Sequence, residues 1–228
     1  MTLCVVFDFD GVLVDSNAVK RQAYFGIFAP LGPDTSPVVA HVLAGDTDSD
    51  RFQLIRAIIT MLRDTGVFVG SGSADELVAR FAERYNAICE QHAATCAEIA
   101  GASAAIGRLA RAHPQYVVSA TPEAPLRRIV ERRGWTSSFR DVLGRPRTKI
   151  ENLRLVIARE GIGGADLVVV GDGRRDLDAA REAGARFIGV RNAFNDFDPA
   201  SLLMLDDLRT LPDVIESAGT PAPLAPGA

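Results

Sequence analysis

Asp8 and Asp10 stand one residue apart at the end of an apolar run, in VVFDFDGVLVDS, residues 5–16. Burying an unpaired carboxylate is costly, so a strand that ends in two of them needs a partner for both. The other polar residues of interest fall at similar places. Ser119 closes YVVS (116–119), and Asp172 and Asp176 follow LVVV (167–170) in GDGRRD. Lys149 stands just ahead of IENLRLV, after a weaker apolar run at 141–143. Ends of parallel strands face one side of a sheet, so these residues can converge in one crevice. Four carboxylates brought together repel one another unless a cation is present, and hard oxygen donors suit Mg²⁺. A lysine and a hydroxyl beside such a cation suit a phosphate dianion, by charge and by hydrogen bonding.

The elements that must position these residues are legible from pattern. Short apolar runs rich in β-branched residues occur at 3–8, 116–119, 167–171 and 186–190, with weaker ones at 141–143 and 203–205. Helical patterns lie between them at 102–112, 123–133, 148–160 and 175–183, and Gly134, Gly161 and Gly184 follow three of these where a helix C-cap is expected. Strands alternating with helices of about a dozen residues imply βαβ units, so the spacing predicts an α/β fold with a parallel sheet. The stretch 17–98 breaks this rhythm, with helical patterns at 17–29, 36–44, 50–64 and 74–94 and no convincing strand. The chain thus begins a sheet, leaves it for helices, and returns.

Composition narrows the partners. A chain of 228 residues that is 47% hydrophobic has material for a core domain with an insert. A net charge of −4 gives no basic field for nucleic acid. Cys4, Cys89 and Cys96 form no CxxC pair, which points to a reduced, cytoplasmic setting. The histidines are too scattered for zinc spacing. Asp8 and Asp10 interrupt the apolar run near the start, so no signal-peptide pattern is expected. No stretch reaches the roughly 18 apolar residues that a membrane span needs. Of the 25 basic residues only Lys20 and Lys149 are lysine, so each lysine invites its own explanation.

DFDGVLVDS, VVSATP, Lys149 and VVVGDGRRD resemble, in order, the four motifs of the haloacid dehalogenase superfamily. The helical insert after the first motif is similar in position to the C1 cap of its phosphoglycolate-phosphatase-like and β-phosphoglucomutase-like members. While the Pro/Ala/Gly-rich composition of 219–228 predicts a disordered tail, the resemblance implies a Rossmann-like core of residues 1–15 and 97–218 and an inserted α-helical cap of 16–96. It implies Asp8 as nucleophile, forming an aspartyl-phosphate, and Asp10 as the acid and then the base. Mg²⁺ would be held by Asp8, the backbone carbonyl of Asp10, Asp172 and Asp176. Ser119 and Lys149 would bind the phosphate, although Arg145-Pro146 in RPRTKIEN offers a rival placement of the third motif. Lysine is the better fit where a single phosphate oxygen must be met, because the charge is compact. The activity implied is Mg²⁺-dependent hydrolysis of a small phosphorylated metabolite, with a phosphosugar mutase as the alternative. Asp10 argues against dehalogenase or phosphonatase chemistry, and the complete residue set against a binding protein on an inactive core.

Other polar residues have plainer readings. Taken singly, Ser119 and Asp176 are helix-capping residues. Lys20 and Arg21, and with them Arg51, are candidate contacts from the cap to a substrate anion, against an ordinary solvated helix face. Arg191 and Asn192 follow a strand on the expected active-site side and are weaker candidates of the same kind. AGDTDSDR (44–51) imitates a polymerase carboxylate motif that belongs to much longer chains, and the start of a calcium loop. The calcium pattern fails because Arg51 and Ala57 stand where Gly and Glu are needed. Asp48 or Asp50 is expected to cap the helix that follows.

Overall fold

The computed structural model describes residues 3–45, 50–192, 202–217 and 220–224. The chain divides into two units, Met1–Ser16 with Ala93–Ala228, and Asn17–His92.

The first unit is built on six parallel strands: β1 (Cys4–Phe7), β2 (Gln115–Pro122), β3 (Asp141–Arg145), β4 (Leu167–Gly171), β5 (Arg186–Val190) and β6 (Leu203–Leu205). Their order is β3-β2-β1-β4-β5-β6, so the winding direction reverses at β1. Ligands of open α/β sheets bind outside the carboxyl ends of the strands at such a reversal. The strands read as continuous apolar runs because both faces are covered. Val5, Phe7, Val168 and Val170 pack with α5 (Ala102–Leu109), α6 (Glu123–Arg132) and α9 (Leu211–Glu216). The alternate residues Cys4, Val6 and Val169 pack with α7 (Lys149–Glu160) and α8 (Arg174–Glu182). Trp135 and Phe139 belong to the first of these cores.

The second unit is helical among its described residues: α1 (Asn17–Phe28), α2 (Thr35–Gly45), α3 (Arg51–Asp64) and α4 (Ala74–Ala93). It has its own core, in which Phe28 stacks on Phe81 at 4.5 Å beside Ile55, Ile58, Ile59, Leu62 and Leu77. Asp50 caps α3, accepting the Phe52 and Gln53 backbone N–H groups, while the Gln53 side chain accepts the Asp50 N–H. Asp46 and Asp48 of the imitation calcium motif lie outside the described residues.

Two expectations need correction. The run at 116–119 belongs to a longer strand, β2, which continues past Ser119 to Pro122 with a register shift between Val118 and Pro122. The disorder expected for the tail does not hold for its described residues, 220–224: the Arg186 guanidinium donates to the Pro221 carbonyl at 2.8 Å, and the Leu224 N–H to the Ala185 carbonyl at 2.9 Å. Leu224 also packs against the second face of the sheet, so burial of one apolar side chain and pairing of backbone groups hold this segment.

Candidate active site

Asp8 directly follows β1, and its N–H continues the ladder by donating to the Val170 carbonyl at 2.9 Å. The chain then curls. Gly11 adopts a left-handed φ of 78°, and its N–H donates to the Val14 carbonyl at 2.8 Å. A non-glycine residue pays a steric penalty in that conformation. This turn gives the two carboxylates different surroundings. Asp8 pairs with the Lys149 ammonium at 3.1 Å. Asp10 instead accepts the Ser16 hydroxyl at 2.6 Å and the Thr121 hydroxyl at 3.2 Å.

Asp172 and Asp176 come from the end of β4 and the first turn of α8. One carboxylate oxygen each from Asp8, Asp172 and Asp176 lies within 4.8 Å of the others. Gly171 makes room for this approach, since a Cβ there would lie 2.3 Å from the Asp176 Cβ and 2.7 Å from its carboxyl carbon. Lys149, the first residue of α7, also pairs with Asp176. A cation at a helix N-terminus opposes the helix dipole, and here the two carboxylates offset that cost. Two carboxylates therefore meet one ammonium, with that of Asp172 beside them. Burial, then the charge of Asp176, raises the Asp8 pKa well above the usual carboxylate range, with Lys149 opposing. Burial lowers the Lys149 pKa, but Asp176 and Asp8 outweigh it and the net shift is upward. Asp8 Oδ1 is buried and has no hydrogen-bond partner. An orphaned carboxylate oxygen beside two further carboxylates, all hard oxygen donors, fits a divalent cation such as Mg²⁺.

Ser119 is 2% exposed and its hydroxyl oxygen accepts the Thr121 N–H at 3.1 Å, which leaves its proton to donate. It does not cap α6, whose N-cap is Pro122. A Cβ on Gly144 would lie 2.4 Å from the Thr121 carbonyl, so glycine at that position of β3 is what lets the irregular end of β2 settle there.

The loop that delivers Lys149 is braced by residues that sequence reasoning did not single out. Glu123 accepts the Gly144 N–H at 3.3 Å and the Arg147 guanidinium at 2.7 Å. Arg147 also donates to Asn152 at 2.8 Å, and the Asn152 amide donates to the Gly144 carbonyl at 3.4 Å. Thr148 then caps α7 in a reciprocal box with Glu151. Asn152 is fully buried inside an otherwise amphipathic helix, which was its signal in the sequence. Ser16 and Thr121 carried none beyond their place inside the DFDGVLVDS and VVSATP segments.

Of the two alternatives at RPRTK, Lys149 makes the ion pair with Asp8, while Arg145 ends β3. Lys20, Arg21 and Arg51 belong to the helical unit. There Arg21 donates to the Leu43 carbonyl at 3.4 Å and Arg51 to Asn86 at 2.6 Å. Arg191 pairs with Asp206 at 2.9 Å. The Asn192 amide donates to Asp172 at 2.7 Å, so this residue faces a site carboxylate, a role its position in the sequence did not reveal.

A family model described as haloacid dehalogenase-like hydrolase matches residues 5–190. A predicted phosphoglycolate phosphatase of Haemophilus somnus is similar in structure, with a TM-score of 0.74 at 15% identity, over 94% of this chain and 98% of that one. A putative β-phosphoglucomutase of Thermotoga maritima superposes with a TM-score of 0.72 at 19% identity, over 96% and 100% of the two chains. A putative HAD-hydrolase of Bacillus subtilis, solved bound to magnesium, gives 0.71 at 16% identity, over 95% and 99%. Identities this low show a shared fold. No curated protein matches the sequence.

Proposed function

The chain belongs to the haloacid dehalogenase-like hydrolase family, and on that footing we propose that it is a phosphatase that hydrolyses a small phosphomonoester with Mg²⁺ as cofactor. The observation that carries the reading is the separation of two neighbouring carboxylates into two environments. Asp8 sits with Lys149 in an acidic cluster, and Asp10 is held by two hydroxyls. Carboxylates in contrasting environments can take contrasting roles.

Asp8 attacks phosphorus; a carboxylate–phosphorus bond forms and the bond to the alcohol oxygen breaks. Asp10 gives a proton to the departing oxygen, then takes one from the water that cleaves the aspartyl-phosphate. The Ser119 hydroxyl and the Lys149 ammonium hold the non-transferring oxygens, where preorganised donors lower the barrier. Asp8, the Asp10 carbonyl, Asp172 and Asp176 would hold Mg²⁺, which supplies positive charge against the phosphoryl oxygens when bound. Lys20, Arg21 and Arg51 remain candidates for a second anionic group of the substrate. Among the described residues no helix is long and apolar enough to cross a membrane, and the cysteines are free. Both fit action on a phosphorylated metabolite in the reducing cytoplasm.

The test is phosphate release from a panel of phosphorylated metabolites, with and without Mg²⁺, and again with a catalytic amount of a sugar bisphosphate. Metal-dependent release that does not need the bisphosphate is expected. Isomerisation of a sugar phosphate that requires the bisphosphate would replace this reading with a mutase.

A further inference from the structure

We infer that Asn192 is a positioning residue that fixes the carboxylate of Asp172 for the cation; the inference rests on the magnesium reading above. Its Nδ2 donates to Asp172 Oδ2 at 2.7 Å. The two residues leave neighbouring strands, for β4 and β5 pair up to Gly171 and Gly189.

The base of Asn192 is itself fixed. The preceding residue, Arg191, donates its N–H to the Leu205 carbonyl at 2.8 Å and its guanidinium to Asp206 at 2.9 Å. The amide is thus delivered from a backbone tied to the last strand of the sheet. Asp172 needs such a restraint, because it is crowded by Asp8 and Asp176, both of the same charge. Repulsion favours rotation of its carboxylate out of the cluster. A donor on its Oδ2 opposes that rotation and keeps the carboxylate among the other two. The residue type matters too. An amide donates without adding charge, whereas lysine or arginine here would compete with the metal for the carboxylate. Partners that orient ligating carboxylates typically matter about 10–100-fold in metal affinity.

The experiment is calorimetric titration of the metal-free protein with Mg²⁺ alone, for wild type, Asn192→Leu and Asn192→Ala, beside their melting temperatures without metal. Both substitutions should weaken Mg²⁺ binding by about tenfold or more while the metal-free melting temperature is not lowered. In turnover, the Mg²⁺ concentration for half-saturation should rise, with kcat at saturating Mg²⁺ close to wild type. Unchanged Mg²⁺ affinity in either variant overturns the inference and leaves the phosphatase reading intact. Weaker binding that comes with a lower metal-free melting temperature in both variants overturns it as well, because Asn192 would then be serving the fold. A wild-type protein that binds no Mg²⁺ overturns both readings.

Discussion

At the amino end of β3, Asp141 pairs with Arg127 at 2.7 Å and with Arg159, while Glu123 takes Arg127 at 3.0 Å and Arg147 at 2.7 Å. At the carboxyl end of β1, Asp8 and Asp176 share the ammonium of Lys149, and the Asp172 carboxylate stands beside them. In the first cluster each carboxylate meets two guanidiniums, whereas in the second two carboxylates meet one ammonium. Their titration follows that balance. Burial raises the Asp141 pKa, but Arg159 and Arg127 outweigh it and the net shift is downward. Burial and like charge raise that of Asp8. The lowered Asp141 contributes stability above the unfolded carboxylate pKa, and loses it as pH falls through the folded value. The raised Asp8 does the reverse: the folded protein binds that proton more tightly, so stability falls as pH rises from the unfolded pKa towards the folded one. One cluster is neutralised by arginines of the fold itself, whereas the other, on the proposed reading, is completed by a cation.

The largest expected effect breaks the second cluster. Asp8→Asn should reduce Mg²⁺-dependent phosphate release by about 10⁴-fold or more, a large part of the enhancement enzymes usually provide. It removes the nucleophile and one charge that repels its neighbours. The metal-free melting temperature should therefore hold or rise, and the gain on adding Mg²⁺ should shrink. Residual release within about tenfold of wild type would exclude Asp8 as the nucleophile. A lower metal-free melting temperature would show the two clusters to be alike.

Next in size is the lysine of the second cluster. Lys149→Ala should lower kcat/KM by about 10²-fold or more, the scale for losing one preorganised donor. Lys149→Arg should recover little, since a planar, longer guanidinium cannot occupy the same point. Arg145→Ala should cost about threefold or less if that residue makes only a solvated contact. Reversed severity of the two alanine variants would assign the phosphate to Arg145.

Much of this contrast was legible in the sequence, for physical reasons. Buried parallel strands must be apolar throughout, so LVVVG and RFIGV were found at their full extent, and the capping glycines marked helix ends. The carboxylates were found because paired acids after apolar runs are costly without a purpose. The roles of the residues that hold them were not, although Ser16 and Thr121 lie within the motifs and Asn192 is among the candidate substrate contacts. Thr121, Ser16 and Asn192 are ordinary loop and strand-end types, and their partners lie 111, 6 and 20 positions away. The arginine cluster was equally hidden, because in an arginine-rich chain nothing marks Arg127, Arg147 and Arg159 as neighbours until β3, α6 and α7 are packed. The short α9 carries too little periodicity to stand out at 211–216.

A smaller effect is expected from breaking the first cluster. Asp141→Asn should cost about 1–2 kcal/mol at neutral pH, since it removes two partly buried ion pairs and leaves their guanidiniums short of a partner. The difference from wild type should begin to fade as pH falls below the ordinary carboxylate value of about 3.9 and vanish below the lower value of the folded Asp141, where the wild-type carboxylate is also neutral. Phosphate release at neutral pH should stay near wild type. Denaturant titrations at several pH values, run beside the activity assay, read both effects. A large loss of activity without loss of stability would mean that this cluster, too, serves the chemistry.

The smallest effect belongs to a third carboxylate, one that caps a helix. Asp50 accepts the Phe52 and Gln53 N–H groups at 2.9 and 3.0 Å, and α3 starts on those bonds. Asp50→Ala leaves both donors without their cap and should cost about 1 kcal/mol in chemical denaturation. Asp50→Asn keeps an oxygen acceptor in the same place and should recover most of that loss. Neither change should alter the Mg²⁺ concentration needed for half-maximal phosphate release, because a cap satisfied by backbone N–H groups needs no cation. A shifted Mg²⁺ requirement in Asp50→Asn, where the cap survives and only the charge is gone, would show that this carboxylate works as the acidic cluster does.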